Sequence, residues 1–126
     1  SENGRANEAQ SVFLALTREF PELPEPHNNL AVLYAGQGEF DKARESLEMA
    51  VRANPSYAVA HENLGDIYLQ LAQRAYGRAA QLNPAAAAAL APRLTSVREL
   101  LSQSSRRNTG PAVWPAPPAR AASAPR

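Results

Sequence analysis

The sequence predicts an all-α protein made of short helical hairpins stacked side by side, and three observations carry that expectation. First, the chain matches itself at a fixed offset of 34 residues. His27 pairs with His61, Asn29 with Asn63, Leu30 with Leu64 and Tyr34 with Tyr68; upstream, Gly4 pairs with Gly38, Ala9 with Ala43, Phe13 with Leu47 and Pro21 with Pro55. A fixed period of this length marks a repeated supersecondary unit. Second, alanine fills 26 of 126 positions while aromatics make up 6% of the chain, so the core is small and built from Ala and Leu. That composition suits closely packed helices, whereas a sheet draws on β-branched and aromatic residues. Third, apolar residues inside each unit recur three and four positions apart, the spacing of one helix face.

The elements follow in order. Residues 4–21 match only the second helix of a unit, with Ala9, Phe13, Leu16 and Phe20 as its buried stripe. Its partner helix is missing, which predicts a segment of a longer protein and an apolar edge covered by upstream chain or by a second copy. Residues 24–57 form a complete unit. Leu30, Leu33 and Tyr34 share one face of its first helix, and Gly36 and Gly38 punctuate the turn. Asp41 is placed to cap the second helix, whose inner stripe is Ala43, Leu47, Ala50 and Val51. Small residues at Ala31, Ala43 and Ala50 let the two helices approach closely. Asn54-Pro55 ends the unit, because proline disfavours helix in the residue before it. A single hairpin cannot bury its own apolar face, so each must stack on a neighbour.

Residues 58–84 make a shortened unit lacking five residues, those of the glycine-containing turn. Leu64, Ile67, Leu71, Ala75, Ala79 and Leu82 run through the gap at helical spacing. Only Gly65 and Gly77 weaken the stretch, by about 1 kcal/mol each. One continuous helix from about Tyr57 to Asn83, roughly 40 Å long, is expected, with a kink at Ala72 as the alternative. Its second half would then project or pack elsewhere, opening exchange between two chains. Residues 85–105 carry Leu90, Leu94, Val97 and Leu101 on one stripe and read as a capping helix over the last repeat. Asn83 and Pro84 suit its start, and Pro92 marks a kink or a second start. The expected domain is thus 1–105. Residues 106–126, with five prolines among Ala, Ser and Arg, read as a disordered linker or tail in which Trp114 stands alone.

The order Leu30, Ala31, Tyr34, Gly38, Phe40, Ala43, Leu47, Ala50, Pro55 within a 34-residue period resembles the tetratricopeptide repeat family. His27 and His61 stand where that family usually has Trp. The resemblance implies an α-solenoid fragment that binds other proteins. It also implies that the first helix of each unit lines a concave groove. Carried over residue by residue, the partner-binding positions are Glu25, Asn28, Asn29, Val32, Ala35 and Gly36 in one unit. In the next they are Val59, Glu62, Asn63, Asp66, Leu69 and Gln70. An asparagine amide both donates and accepts, so Asn29 and Asn63 suit the backbone of an extended peptide; a structural bond to the adjacent helix is the competing reading. Some members clamp a terminal carboxylate with basic residues, but the matching positions here are Asn28, Val32, Glu62 and Asp66. The expected ligand is therefore a neutral or basic peptide or helix with an apolar anchor near Val32, Val59 and Leu69.

Chemistry finds little support. With no cysteine, thiol nucleophiles, disulfides and Cys-ligated metals are excluded. The two histidines are repeat equivalents, and His61-Glu62 lacks the second histidine four residues on, where Gly65 stands. Glu62 and Asp66 share a face, but as a solvated one. No catalytic residues, metal ligands or cofactor are expected. Residues 1–84 hold eleven acidic against seven basic side chains, net −4, and residues 85–126 six against one, net +5. An acidic body argues against nucleic acid, and the arginines of the tail are sparse. No apolar run approaches the ~20 residues that span a bilayer.

The expected function is a protein–protein scaffold; the alternative is the non-catalytic repeat region of a longer enzyme or envelope-assembly protein whose active domain follows the linker. Two routes to a homodimer are open, through the N-terminal helix face or by exchange of the long helix. Twelve arginines against Lys42 alone, with abundant alanine, point to a GC-rich bacterial genome. A cysteine-free repeat with a Pro/Ala linker fits the periplasm or envelope, with the cytoplasm as alternative.

Overall fold

A computed structural model describes residues 2–107, which form five helices and, among the described residues, no strand: α1 (Glu2–Glu19), α2 (Pro24–Gly36), α3 (Phe40–Ala53), α4 (Ala58–Leu82) and α5 (Pro84–Arg107). The readings of residues 108–126, Trp114 among them, lie outside the described residues.

The same local chemistry starts both internal repeats. Leu23 N–H donates to the Phe20 carbonyl at 3.1 Å, and 34 residues later Tyr57 N–H donates to the Asn54 carbonyl at 3.0 Å. Each turn carries proline at its second position, Pro21 or Pro55, where the ring pre-sets φ. Asn54 Oδ1 also accepts from Ser56 N–H at 3.0 Å, tightening the second turn. Leu23 offers α2 no side-chain cap. Pro24 and Pro26 reduce the need for one, since each removes an N–H that the first turn would leave unpaired.

The α2–α3 turn is a Schellman motif. Gly38 N–H donates to Ala35 O at 3.0 Å and Glu39 N–H to Tyr34 O at 2.9 Å, with Gly38 at φ 78°. That left-handed conformation is the one place where this turn requires glycine. Asp41 does not cap α3, contrary to the sequence expectation. Glu39 holds the cap position, and Asp41 lies one residue inside the helix. From there it reaches Arg44 at 3.7 Å and Arg74 of α4 at 3.3 Å.

Deletion of the turn residues makes α4 continuous over 25 residues, about 37 Å, with Ala72 inside it. A helix that does not reverse cannot supply its own hairpin partner. Instead α5 turns back at Asn83 and packs along α4, the only helix it touches among the described residues. Helix α5 runs unbroken through the exposed Pro92, so no second helix starts there.

The core sits where α2, α3 and α4 meet. Ala31, Ala43, Leu47, Ala50, Ala60 and Ile67 are buried together, flanked by Tyr34, Phe40, Val51, Tyr57, Leu64 and Leu71. Alanines at the contact bring the helix axes close, and Leu47 fills the space between three helices. Four expected stripe residues are exposed, Ala75 and Ala79 within α4 and Phe20 and Leu82 at helix ends. Phe20 lies past the end of α1 and is exposed, and Leu82 is 70% exposed at the far end of α4. In both cases the periodic stripe extends beyond the neighbour that would cover it. Arg74 fastens the middle of α4 to the start of α3 through Asp41 and by standing 5.6 Å from the Phe40 ring centroid.

Candidate partner-binding groove

The candidate groove is formed by α2 and the first half of α4, which lie next to each other through one specific bond. Asn63 Nδ2 donates to Asn28 Oδ1 at 3.0 Å. Asn29 is used locally: its Nδ2 donates to the Glu25 carbonyl of its own helix at 2.9 Å. Asn28 and Asn29 are 0% exposed, so a partner reaches neither unless the groove opens. Their remaining polar atoms, Asn28 Nδ2 and Asn29 Oδ1, are buried without a partner among the described residues. Such atoms carry a desolvation cost, and their presence in one turn of α2 makes that turn an energetically loaded part of the fold.

The other residues carried over from the repeat pattern are more accessible. Glu25, Val32, Ala35, Val59, Asn63, Asp66, Leu69 and Gln70 are half-buried, while Gly36 and Glu62 are exposed. Much of the burial on α4 comes from α5. The Arg93 guanidinium of α5 stands 5.9 Å from the Tyr76 ring centroid. Gln73 lies three residues before Tyr76, on the side of α4 that α5 meets. Buried Val97 marks the matching face of α5. The C-terminal helix thus covers one side of the groove face of α4, whereas α2 bounds the other. Sequence reasoning missed this, because an amphipathic stripe shows that α5 must pack, not where.

Two titrating groups report the surroundings. Burial pulls the His27 imidazole below its usual value, against an opposing effect from the Pro21 carbonyl. Its repeat equivalent His61 is exposed and places Nε2 2.8 Å from the Pro55 carbonyl, so both histidines brace the preceding turn. Burial raises the Tyr57 phenol, and the charge of the Glu25 carboxylate adds to it. Among the described residues no cluster of three metal-ligating side chains exists, and no helix is long and apolar enough to cross a membrane.

This arrangement, antiparallel helical pairs stacked at a 34-residue period with the first helices side by side, defines an all-α repeat protein. The sequence profile of the tetratricopeptide repeat family matches residues 1–67, more than half of the chain, and the chain belongs to that family. It is also similar to a TPR repeat-containing thioredoxin, TTL4, of Arabidopsis thaliana, at 34% identity over 70 residues. The match covers 56% of this chain and 10% of that relative, so the chain spans a small fraction of the relative's length. No solved structure matches. Repeats of this family generally mediate protein–protein contacts, and a protein partner is the general reading of this one.

Proposed function

We propose that this chain is a non-catalytic scaffold that holds a neutral or basic peptide or helix along α4, between α2 and α5. The observation that carries the reading is the placement of those two helices on α4. Helix α2 meets it at Asn63, α5 meets it at Tyr76, and α2 and α5 do not touch each other among the described residues. Val59, Asp66 and Gln70 line α4 between these contacts, with Glu62 and Glu25 at the rim. Acidic side chains there favour encounter with a basic ligand, while Val32, Val59 and Leu69 give an apolar anchor its contact. Asn28 and Asn29 act in this proposal as supports that fix the spacing of the helices rather than as contacts.

Titration of the chain with matched basic and acidic amphipathic peptides tests this. The basic peptide is expected to bind, and Glu62→Arg with Asp66→Arg to weaken it at least tenfold. Equal binding of both peptides, or indifference to the double substitution, overturns the assignment.

A second reading is self-association through α1, favoured by Val12, which is 56% exposed on the helix side away from α2. Exchange of the long helix has less behind it, because α5 already packs on α4 within one chain. The tetratricopeptide segment also fits a region of a longer enzyme or an envelope-assembly protein, with residues 106–126 as linker from a repeat domain ending near residue 105. The composition favours a bacterial source and the periplasm or envelope over the cytoplasm, and fractionation of the tagged full-length protein decides between them.

A further inference from the structure

Helices α1, α2 and α3 together enclose a cleft of about 340 Å³. Helices α1 and α3 each pack on α2 but do not touch each other among the described residues, so the gap between them stays open above α2. His27, Leu30 and Tyr34 of α2 form its floor, with Leu14 of α1 and Glu45 and Met49 of α3 on the walls. Leu30 is buried and Leu14 half-buried, whereas Met49 is exposed and unbranched, able to adapt to the shape of what it touches.

Two acceptors stand in this apolar lining. His27 is 6% exposed, and its Nε2 is buried with no partner among the described residues. Such an atom carries a desolvation cost that a donor brought into the cleft removes. Glu45 is exposed and, unlike Asp41 and Glu48 of the same helix, makes no ion pair among the described residues. Lys42 also lines the cleft, but it is committed elsewhere, 3.2 Å from Glu39 and 5.7 Å from the Tyr34 ring centroid. The lining therefore suits a flat apolar ring that carries an N–H, as an indole does.

The chain contains one tryptophan, Trp114, seven residues beyond the end of α5 at Arg107. Helix α5 turns back after α4 and is of similar length, 24 residues against 25, so it ends beside the start of α4. There α4 is joined to α2 through Asn63 and Asn28, the neighbour of His27. Two helix spacings, about 16–20 Å, separate α5 from α2. Seven extended residues span up to about 23 Å. Charge favours the same meeting: residues 106–126 hold four arginines and no acid, while Glu45 lines the cleft and Glu19 and Glu22 precede α2.

We infer that the indole of Trp114 docks in this cleft, packing on Leu30 and Met49 with its N–H turned to the His27 and Glu45 acceptors. The site stands apart from the α4 groove and leaves that groove free. The short tether gives Trp114 an effective concentration on the order of millimolar, so a contact of millimolar affinity is about half filled.

Because Trp114 is the only tryptophan, its fluorescence reads the contact directly in the 126-residue chain. Emission should lie to the blue of that from the isolated 108–126 peptide, and acrylamide should quench it with about half the peptide's slope. Both readings should hold constant from about 1 to 100 µM, well below the effective concentration of the tether, as contact within one chain requires. Met49→Lys sets a charge on the apolar wall four residues from Glu45. Met49 is 39% exposed, so helicity by circular dichroism should be retained while emission and quenching return to the peptide's values. A blue shift that survives Met49→Lys, or one that grows with concentration, overturns the inference. Peptide-like emission from the folded chain does so too. If N-acetyl-tryptophanamide then shifts the methyl resonance of the chain's single methionine, the cleft belongs to a partner's tryptophan and Trp114 is rejected as its occupant.

Discussion

Asn63 Nδ2 donates to Asn28 Oδ1 at 3.0 Å, joining side chains 35 residues apart where α2 meets α4. Asn28 is fully buried, so its amide oxygen has no route to water. Asn63→Ala should therefore destabilise by about 1–3 kcal/mol, the cost of leaving a buried acceptor unpaired. Replacing both asparagines by leucine should cost less than the sum of the two single changes. Urea unfolding of the four members of this cycle measures the coupling, and strict additivity would show that the bond contributes nothing.

Leu47 is 1% exposed at the junction of three helices. Leu47→Ala should lower stability by about 2–5 kcal/mol, because neighbouring alanines have no bulk with which to fill the gap. Ala50→Leu should also destabilise, by about 1–3 kcal/mol, through overpacking at a site with no exposed surface. Thermal melts of both variants check the pair. A neutral Ala50→Leu would mean that α2 and α3 are less tightly apposed than described.

Two glycines should respond in opposite senses. Gly38 has φ 78°, so Gly38→Ala places a Cβ in the left-handed region and should cost roughly 1–2 kcal/mol. Gly77 lies within α4, and a Cβ there meets nothing within 4 Å. Gly77→Ala should accordingly stabilise by up to about 1 kcal/mol through helix propensity alone. Comparison of denaturation midpoints separates the two effects.

His27 gives stability a pH dependence of defined sign. Burial lowers its folded-state value below the usual 6.5, so the unfolded chain binds a proton more readily than the folded one. Stability from neutral His27 is fully present above pH 6.5 and declines as pH falls from there toward the lowered value. His27→Phe should flatten this part of the profile. An unchanged acid limb in urea unfolding at pH 7.5, 6.5 and 5.5 would refute the role of His27.

Much of the fold was legible because it rests on local relations along the chain. The repeated Pro21 and Pro55 turns, the Gly38 corner and the alanines of α3 each act within a few residues, and the 34-residue offset exposes them. Absence of the turn between Ala72 and its neighbours likewise predicts an unbroken α4, since nothing remains to reverse it. Asp41 was misread because carboxylates suit both a cap and a first-turn ion pair. The choice went to Arg74, which lies 33 residues away.

The candidate groove was less legible. Repeat equivalence marks Asn28, Asn29 and Asn63 as groove residues, yet whether an amide meets a ligand or another amide depends on how close two helices lie. Spacing alone states which side chains share a face and that an apolar face needs cover. It leaves open which helix provides the cover, because burial energy depends on area removed from water and hardly at all on direction. Three-dimensional packing made that choice: α5 lies against α4 on the side of Tyr76, and His61, Gly65 and Tyr68 stay exposed.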